Sequence, residues 1–192
     1  MPTPNAQAIA FLQTRRSRPA KTLTTPVPNQ AELQTLLTMA ARTPDHGKLE
    51  PWRFIVLGKR RLTELAQLVD QRATDMGLDP DKTQKGKNQF QDGHLGVVVV
   101  EVQKPSEKIP AIEQTYSAGA VCLSLLNAAL ASGWGANWLS GWPNHDRSFV
   151  EQAFDLAPHE RVAGIIYLGT ETATPPERPR PDIASITTWQ LD

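Results

Sequence analysis

The residues with the most chemical capacity in this sequence are arginines. Arg15-Arg16-Ser17 sets two guanidinium forks and a hydroxyl in succession, a group that suits the several acceptor oxygens of a phosphate. Cations standing after a helix also stabilise its C-terminal dipole without any ligand, so the triplet alone leaves both readings open. Arg42 adds a basic group just ahead of the turn Pro44-Asp45-His46-Gly47, and a solvated helix-end arginine is its ordinary alternative. Asp45-His46 offers half of a dyad, but neighbours on a turn seldom face each other and no spacing marks a nucleophile. A surface turn histidine accounts for it equally well. Gly133-x-Gly135 closes a helix, whereas a dinucleotide fingerprint follows a strand and opens one. No phosphate loop, HExxH or GxSxG run occurs, and Ser140-Gly141 has Trp138 where the first glycine of a nucleophile elbow belongs.

The elements that must position these groups can be read from periodicity and punctuation. Residues 6–15 read as a short helix anchored by Ile9, Phe11 and Leu12, with Thr3-Pro4 at its start, and it delivers the arginine triplet. Asn29-Gln30-Ala31-Glu32 resembles a capping box, and Leu33, Leu36, Leu37, Ala40 and Ala41 follow at helical spacing until Pro44 stops the run. A strand is expected over 52–57, then a helix carrying Leu62, Leu65, Ala66, Val69 and Ala73. Residues 78–93 are polar and Gly-interrupted, receive no element, and stand where they could cover a site. Four consecutive valines in 95–102 and the apolar run 162–168 have the composition of central strands buried on both faces. Between them come an Ala-rich helix over 113–132, a strand over 137–139 and a small helix near 146–154. Strands and helices do not strictly alternate, so an α+β fold is favoured over a doubly wound parallel sheet.

Composition narrows the function classes. The 192 residues are 40% hydrophobic and carry 20 Lys plus Arg against 20 Asp plus Glu, enough for a core and with no net field to recruit nucleic acid or an anionic membrane. One cysteine, Cys122, with four scattered histidines excludes a disulfide framework and a Cys-rich zinc site; no metal is expected. Cys122 itself reads as a buried structural thiol. The N-terminus lacks a secretory signal pattern, and the small apolar run 118–131 is about 14 residues, short of the roughly 20 of a membrane span. A cytoplasmic location is therefore expected. Residues 172–181 hold four prolines and read as an extended tail crossing a surface.

Taken together, Thr14-Arg15-Arg16-Ser17, the block Ala41-Arg42-x-Pro44-Asp45-His46-x-Lys48-x-x-Pro51-Trp52-x-Phe54, Ser117-Ala118-Gly119-Ala120, Gly133-x-Gly135-x-x-Trp138-x-Ser140-Gly141 and Tyr167-Leu168-Gly169-Thr170 resemble the nitroreductase family of FMN flavoproteins, in its compact bacterial branch. The resemblance covers about 6–170. It implies a nitroreductase-like fold with a central mixed β-sheet flanked by helices, as a single domain over 1–192 whose tail, 171–192, reaches a partner subunit. It further implies a homodimer with FMN at the interface, reduced by NADH or NADPH and reoxidised by nitroaromatics, quinones or related small aromatic acceptors in ping-pong fashion. By position, Arg15, Arg16, Ser17, Trp138, Leu139 and Ser140 would contact FMN from one subunit and Arg42 and His46 from the other. A nicotinamide-contacting stretch would fall on Ala128, Ala129, Leu130, Ala131, Ser132 and Gly133. No catalytic acid or base is required, since the flavin carries the chemistry. Leu139 stands where close relatives carry an arginine, and this leaves a flavin carrier or redox-responsive protein of low turnover as the alternative. A hydrolase using His46 is a third reading. Arg178 and Arg180 in the tail are additional phosphate candidates, with a solvated charged tail as their alternative.

Overall fold

The computed structural model describes residues 2–191. In chain order its elements are α1 (Ala6–Thr14), β1 (Leu23–Thr24), α2 (Gln30–Ala40), β2 (Trp52–Gly58), α3 (Lys59–Asp75), α4 (Pro80–Gln91), β3 (Leu95–Val102), α5 (Ala111–Ala131), β4 (Gly135–Leu139), α6 (Arg147–Phe154) and β5 (Glu160–Glu171). The capping box at α2 is formed: the Asn29 carboxamide accepts from the Ala31 and Glu32 amides, and Glu32 accepts from the Asn29 amide at 2.8 Å. α1 begins at Ala6, where the sequence reading put it, but its cap is Asn5 and not Thr3-Pro4: the Asn5 side chain accepts from the Ala8 amide and caps the first turn.

β5 is the hub of the sheet. It pairs with β3, β4 and β1, and β3 pairs in turn with β2. Every one of these ladders is antiparallel, where a mixed sheet was expected. The reason is topological. Two helices, α3 and α4, intervene between β2 and β3 and turn the chain an extra time, so β3 runs back against β2. α5 does link β3 and β4 in the same direction, but β5 lies between them and no parallel ladder forms.

The four valines behave as their composition requires. Leu95, Val97 and Val99 pack with Leu33, Leu36, Val121 and Leu125 on the α2 and α5 side, while Val98, Val100 and Val102 pack with Leu62, Leu65, Phe149 and Phe154 on the other. This is the alternation of a strand covered on both faces. The largest departure from the sequence reading is α4, a helix where no element was assigned. Asp79 caps it by accepting from the Lys82 amide at 2.9 Å, and Pro80 occupies its first turn. Gly86 and Phe90 are buried beneath it. The apolar anchors of α1 depart in the opposite sense: Ile9 and Leu12 are 45% and 63% exposed, and no residue of α1 is buried in the chain.

Candidate functional site

The arginine triplet leaves α1 and docks on β4. The Arg18 amide donates to the Ala136 carbonyl at 2.8 Å, and Asn137 Nδ2 donates to the Arg18 carbonyl at 2.8 Å. Arg18 Nε lies 2.5 Å from Glu171 Oε2 on β5, which pins the segment to the sheet hub. Arg15 reaches only Ser17 Oγ, at 3.3 Å, and Arg16 Nη2 donates to the Pro176 carbonyl of the tail at 3.0 Å. The Nε atoms of Arg15 and Arg16 are buried with no hydrogen-bond partner. Burial, followed by repulsion from Arg180, Arg16 and Arg18, lowers the Arg15 pKa below its ordinary value. A guanidinium stays charged in a protein, so the cost of crowding these cations is relieved only by an anion. Arg18 has Glu171 and Arg180 has Glu177 at 3.1 Å. Arg15 and Arg16 have no carboxylate partner among the described residues.

Beyond Arg18 the chain enters the lining of a cavity of about 650 Å³, walled by Pro19, Leu139, Ser140 and Trp142 together with Gly86 and Gln89 of α4. That size is ordinary for a small-molecule site. Asn137 and Leu139 face it. Trp138 does not, since successive strand residues point to opposite faces, and its indole covers Gly164, where an added Cβ would sit 2.0 Å from Trp138 Nε1. The Ser140 hydroxyl is 2.9 Å from His145 Nε2. Gly86 must lack a side chain because the Trp142 indole packs on it, and Trp142 Nε1 donates to the Lys82 carbonyl at 3.1 Å.

The other expected contacts lie elsewhere. His46 occupies the turn after α2, where Gly47 takes a φ of 72°, and its Nδ1 is 2.6 Å from Glu113 Oε2 at the start of α5. Arg42, whose amide donates to the Met39 carbonyl, is exposed at the end of α2. Neither lines the cavity of its own chain. With a carboxylate as its partner and no nucleophile, His46 gives a hydrolase no support. Residues 128–133 form the end of α5: Ala128 and Ala129 are packed in the core and their carbonyls accept from Ser132 and Trp134. None of the six lines the cavity, so in one chain they present no nicotinamide site. Cys122 is wholly buried and its pKa is pushed up to about 12 by desolvation, an inert thiol.

The structure places the two tail arginines named as additional phosphate candidates and adds one contributor that spacing did not indicate, the α4 wall. Arg178 and Arg180 line a recess against Gln13 and Thr14 at the end of α1, and Arg180 acts on Arg15 through its charge. The α4 wall supplies Lys82, Lys85 and Gln89. The helix was announced by Asp79-Pro80, an N-cap and first-turn proline, but its polar composition obscured it.

Fold and site define an α+β protein that sets an unpaired guanidinium cluster on the segment leading into an apolar-walled cavity, an arrangement suited to a ring system bearing an anion. The chain belongs to the nitroreductase family, whose model matches residues 12–170. It is 34% identical over 165 residues to a Haemophilus influenzae protein whose name places it with the NAD(P)H nitroreductases, across 85% of this chain and 88% of that one. The fold is shared with a nitroreductase-like family protein of Bacillus cereus, with a TM-score of 0.79, 21% identity and coverage of 99% and 98% of the two chains. A Desulfovibrio desulfuricans structure in complex with FMN matches with a TM-score of 0.76 at 18% identity, over 98% and 99%.

Proposed function

We propose that the protein is an FMN-dependent NAD(P)H oxidoreductase that takes electrons from NADH or NADPH and passes them to nitroaromatic, quinone or related acceptors in alternating half-reactions. The observation that carries this reading is the pair of buried, unpartnered Nε atoms on Arg15 and Arg16, on the segment that runs on into Pro19 and the lining of the Leu139–Ser140 cavity. Buried polar atoms are almost always satisfied, and these donors fit a phosphate. Arg15, Arg16 and Ser17 would hold that phosphate, while Leu139 and Ser140 would face the ring. When bound, the flavin supplies hydride acceptance and donation. Leu139 and Trp142 would shield the ring from water, and the Ser140 hydroxyl that lines the cavity is held by His145 Nε2 at 2.9 Å. Purified protein is expected to be yellow and to release FMN, identified by mass, on heating. Double-reciprocal plots with a quinone acceptor are expected to be parallel, and intersecting lines would reject alternating use of the cavity. A colourless protein that binds no added FMN in a fluorescence titration ends the proposal.

The working unit in this reading is a homodimer in which Arg42 and His46 approach the cavity of the partner. Exposed apolar surface supports it. Ile112, Tyr116 and Leu123 share one stripe of α5 at 44 to 67% exposure, and Ile9 and Leu12 lie outward on α1. Tail residues Ile183, Ile186, Trp189 and Leu191 are 61 to 80% exposed, a pattern fitted to a surface this chain does not itself provide. Sedimentation or light scattering at micromolar concentration is expected to give twice the chain mass.

A further inference from the structure

The charged residues lining the cavity are mostly cationic, three lysines against one carboxylate. Lys82 and Lys85 line it from α4 and Lys21 lines it from the segment after Pro19, while Asp92 is the sole carboxylate among its lining residues. Lys82, Lys85, Gly86 and Gln89 fall at helical spacing on one face of α4, so the two lysines belong to the face that walls the cavity. Lys87, on another face, is instead neutralised by Asp70 at 2.5 Å. Lys21 and Lys85 have no ion-pair partner among the described residues, and Lys82 has only an exposed 3.5 Å contact with its own helix cap, Asp79. The apolar lining is Leu139, Trp142, Pro19 and Ala20. An apolar slot with a cationic rim matches a flat ring that carries a negative charge at its edge.

We propose that Lys21, Lys82 and Lys85 make this cavity select aromatic ligands bearing a carboxylate over neutral rings of the same shape, which assigns an acceptor class to the site and rests on the oxidoreductase reading above. Each lysine is solvent-exposed, so each contributes modestly, about two- to fivefold in affinity. Salt at about 1 M, where the screening length is roughly 3 Å, removes most of the effect.

Benzoate and benzamide test this without turnover. They share a ring and nearly a shape, and they differ in charge. Dissociation constants of both are measured by ligand-observed NMR on the purified protein, with the flavin it carries. The readout is the benzamide-to-benzoate ratio of dissociation constants and its change between proteins, in which the intrinsic difference between the two probes cancels. The ratio is expected to exceed about fivefold at low ionic strength and to fall by about two- to fivefold in Lys82→Gln and again in Lys85→Gln. It is also expected to approach its high-salt value when Lys21→Gln is added. A ratio unmoved by Lys85→Gln and by salt overturns the proposal, as does benzoate preference that survives in the triple variant, which would place the anion at Arg15 and Arg16. Should one variant fold poorly by circular dichroism, the remaining lysine and the salt titration still decide. Absence of flavin in the preparation would defeat the proposed function, whereas the ratio answers the lysine question independently.

Discussion

At the residue scale the site turns on two guanidinium groups whose needs the chain leaves unmet. Arg16 has one bond to the tail carbonyl of Pro176 and a buried Nε with none. Arg16→Ala is expected to weaken FMN binding by about 1.5 to 3 kcal/mol, the range for a charge-assisted hydrogen bond; that is tenfold or more in the dissociation constant read by flavin fluorescence. A change below twofold, with the fold intact by circular dichroism, would reduce Arg16 to a clamp for the tail. The Arg15-Arg16-Ser17 triplet and the Leu139-Ser140 pair could be proposed from the sequence because short motifs keep their chemistry wherever the chain carries them. Arg180 was not, since its approach to Arg15 depends on the path of an extended tail and no local pattern encodes that path. Trp138, proposed alongside Leu139, lies on the face away from the cavity, because neighbouring residues of a strand point to opposite sides.

At the scale of elements, α4 forms one wall of the cavity and is held by the Trp142 contact. An added Cβ at Gly86 would sit 2.4 Å from Trp142 Nε1, so Gly86→Ala must displace the indole and break its bond to the Lys82 carbonyl. Overpacking of this kind costs about 1 to 3 kcal/mol; thermal unfolding is expected at lower temperature and FMN affinity is expected to drop with it. Unchanged values for both would show that α4 is not fixed by Trp142. Four of the five strands and the long helix were legible from their apolar runs, and α1 from its apolar anchors; the two-residue β1 is too short to leave a pattern. α4 was not, because its lysines, glutamines and Gly86 give a helix almost no apolar stripe. A second tie joins β2 to β5: Arg53 binds both oxygens of Glu160, at 2.7 and 2.8 Å, and the Ala157 amide adds a third bond at 3.0 Å. Chiefly through the Arg53 hydrogen bonds, the Glu160 carboxyl is pushed down from 4.5 to about 2. A depressed folded-state pKa stabilises the fold fully above 4.5 and loses that contribution as pH falls toward about 2. Denaturant unfolding across this window is expected to show the loss, and Glu160→Gln is expected to flatten the profile while lowering stability at neutral pH.

At the scale of the whole molecule, the proposed site is divided between chains, and subunit exchange tests it. One variant carries Arg15→Ala and Arg16→Ala, another Arg42→Ala and His46→Ala, and each homodimer is expected to bind FMN poorly. In the mixed dimer one interface receives both intact halves, so half of the flavin capacity is expected to return. No recovery after verified exchange would mean that each site is built within one chain. The resemblance implied this division from the sequence; what the sequence could not supply is the exposure of Ile9, Leu12 and the Ile183–Leu191 apolar residues, visible only when the chain has folded and left them uncovered. A different consequence follows from the sheet's hub. β5, at residues 160–171, is the strand to which β1, β3 and β4 all bond. During synthesis from the N-terminus, the valines of β3 can pair with β2 at once but wait for their second partner until residues 160–171 have emerged from the ribosome. A nascent or truncated chain that stops short of β5 holds β3 with one edge open and four consecutive valines unprotected, the kind of segment that drives aggregation. Translation speed between Val102 and Glu160, and the chaperones that meet the chain there, are thus as much a condition of obtaining this protein as its final packing.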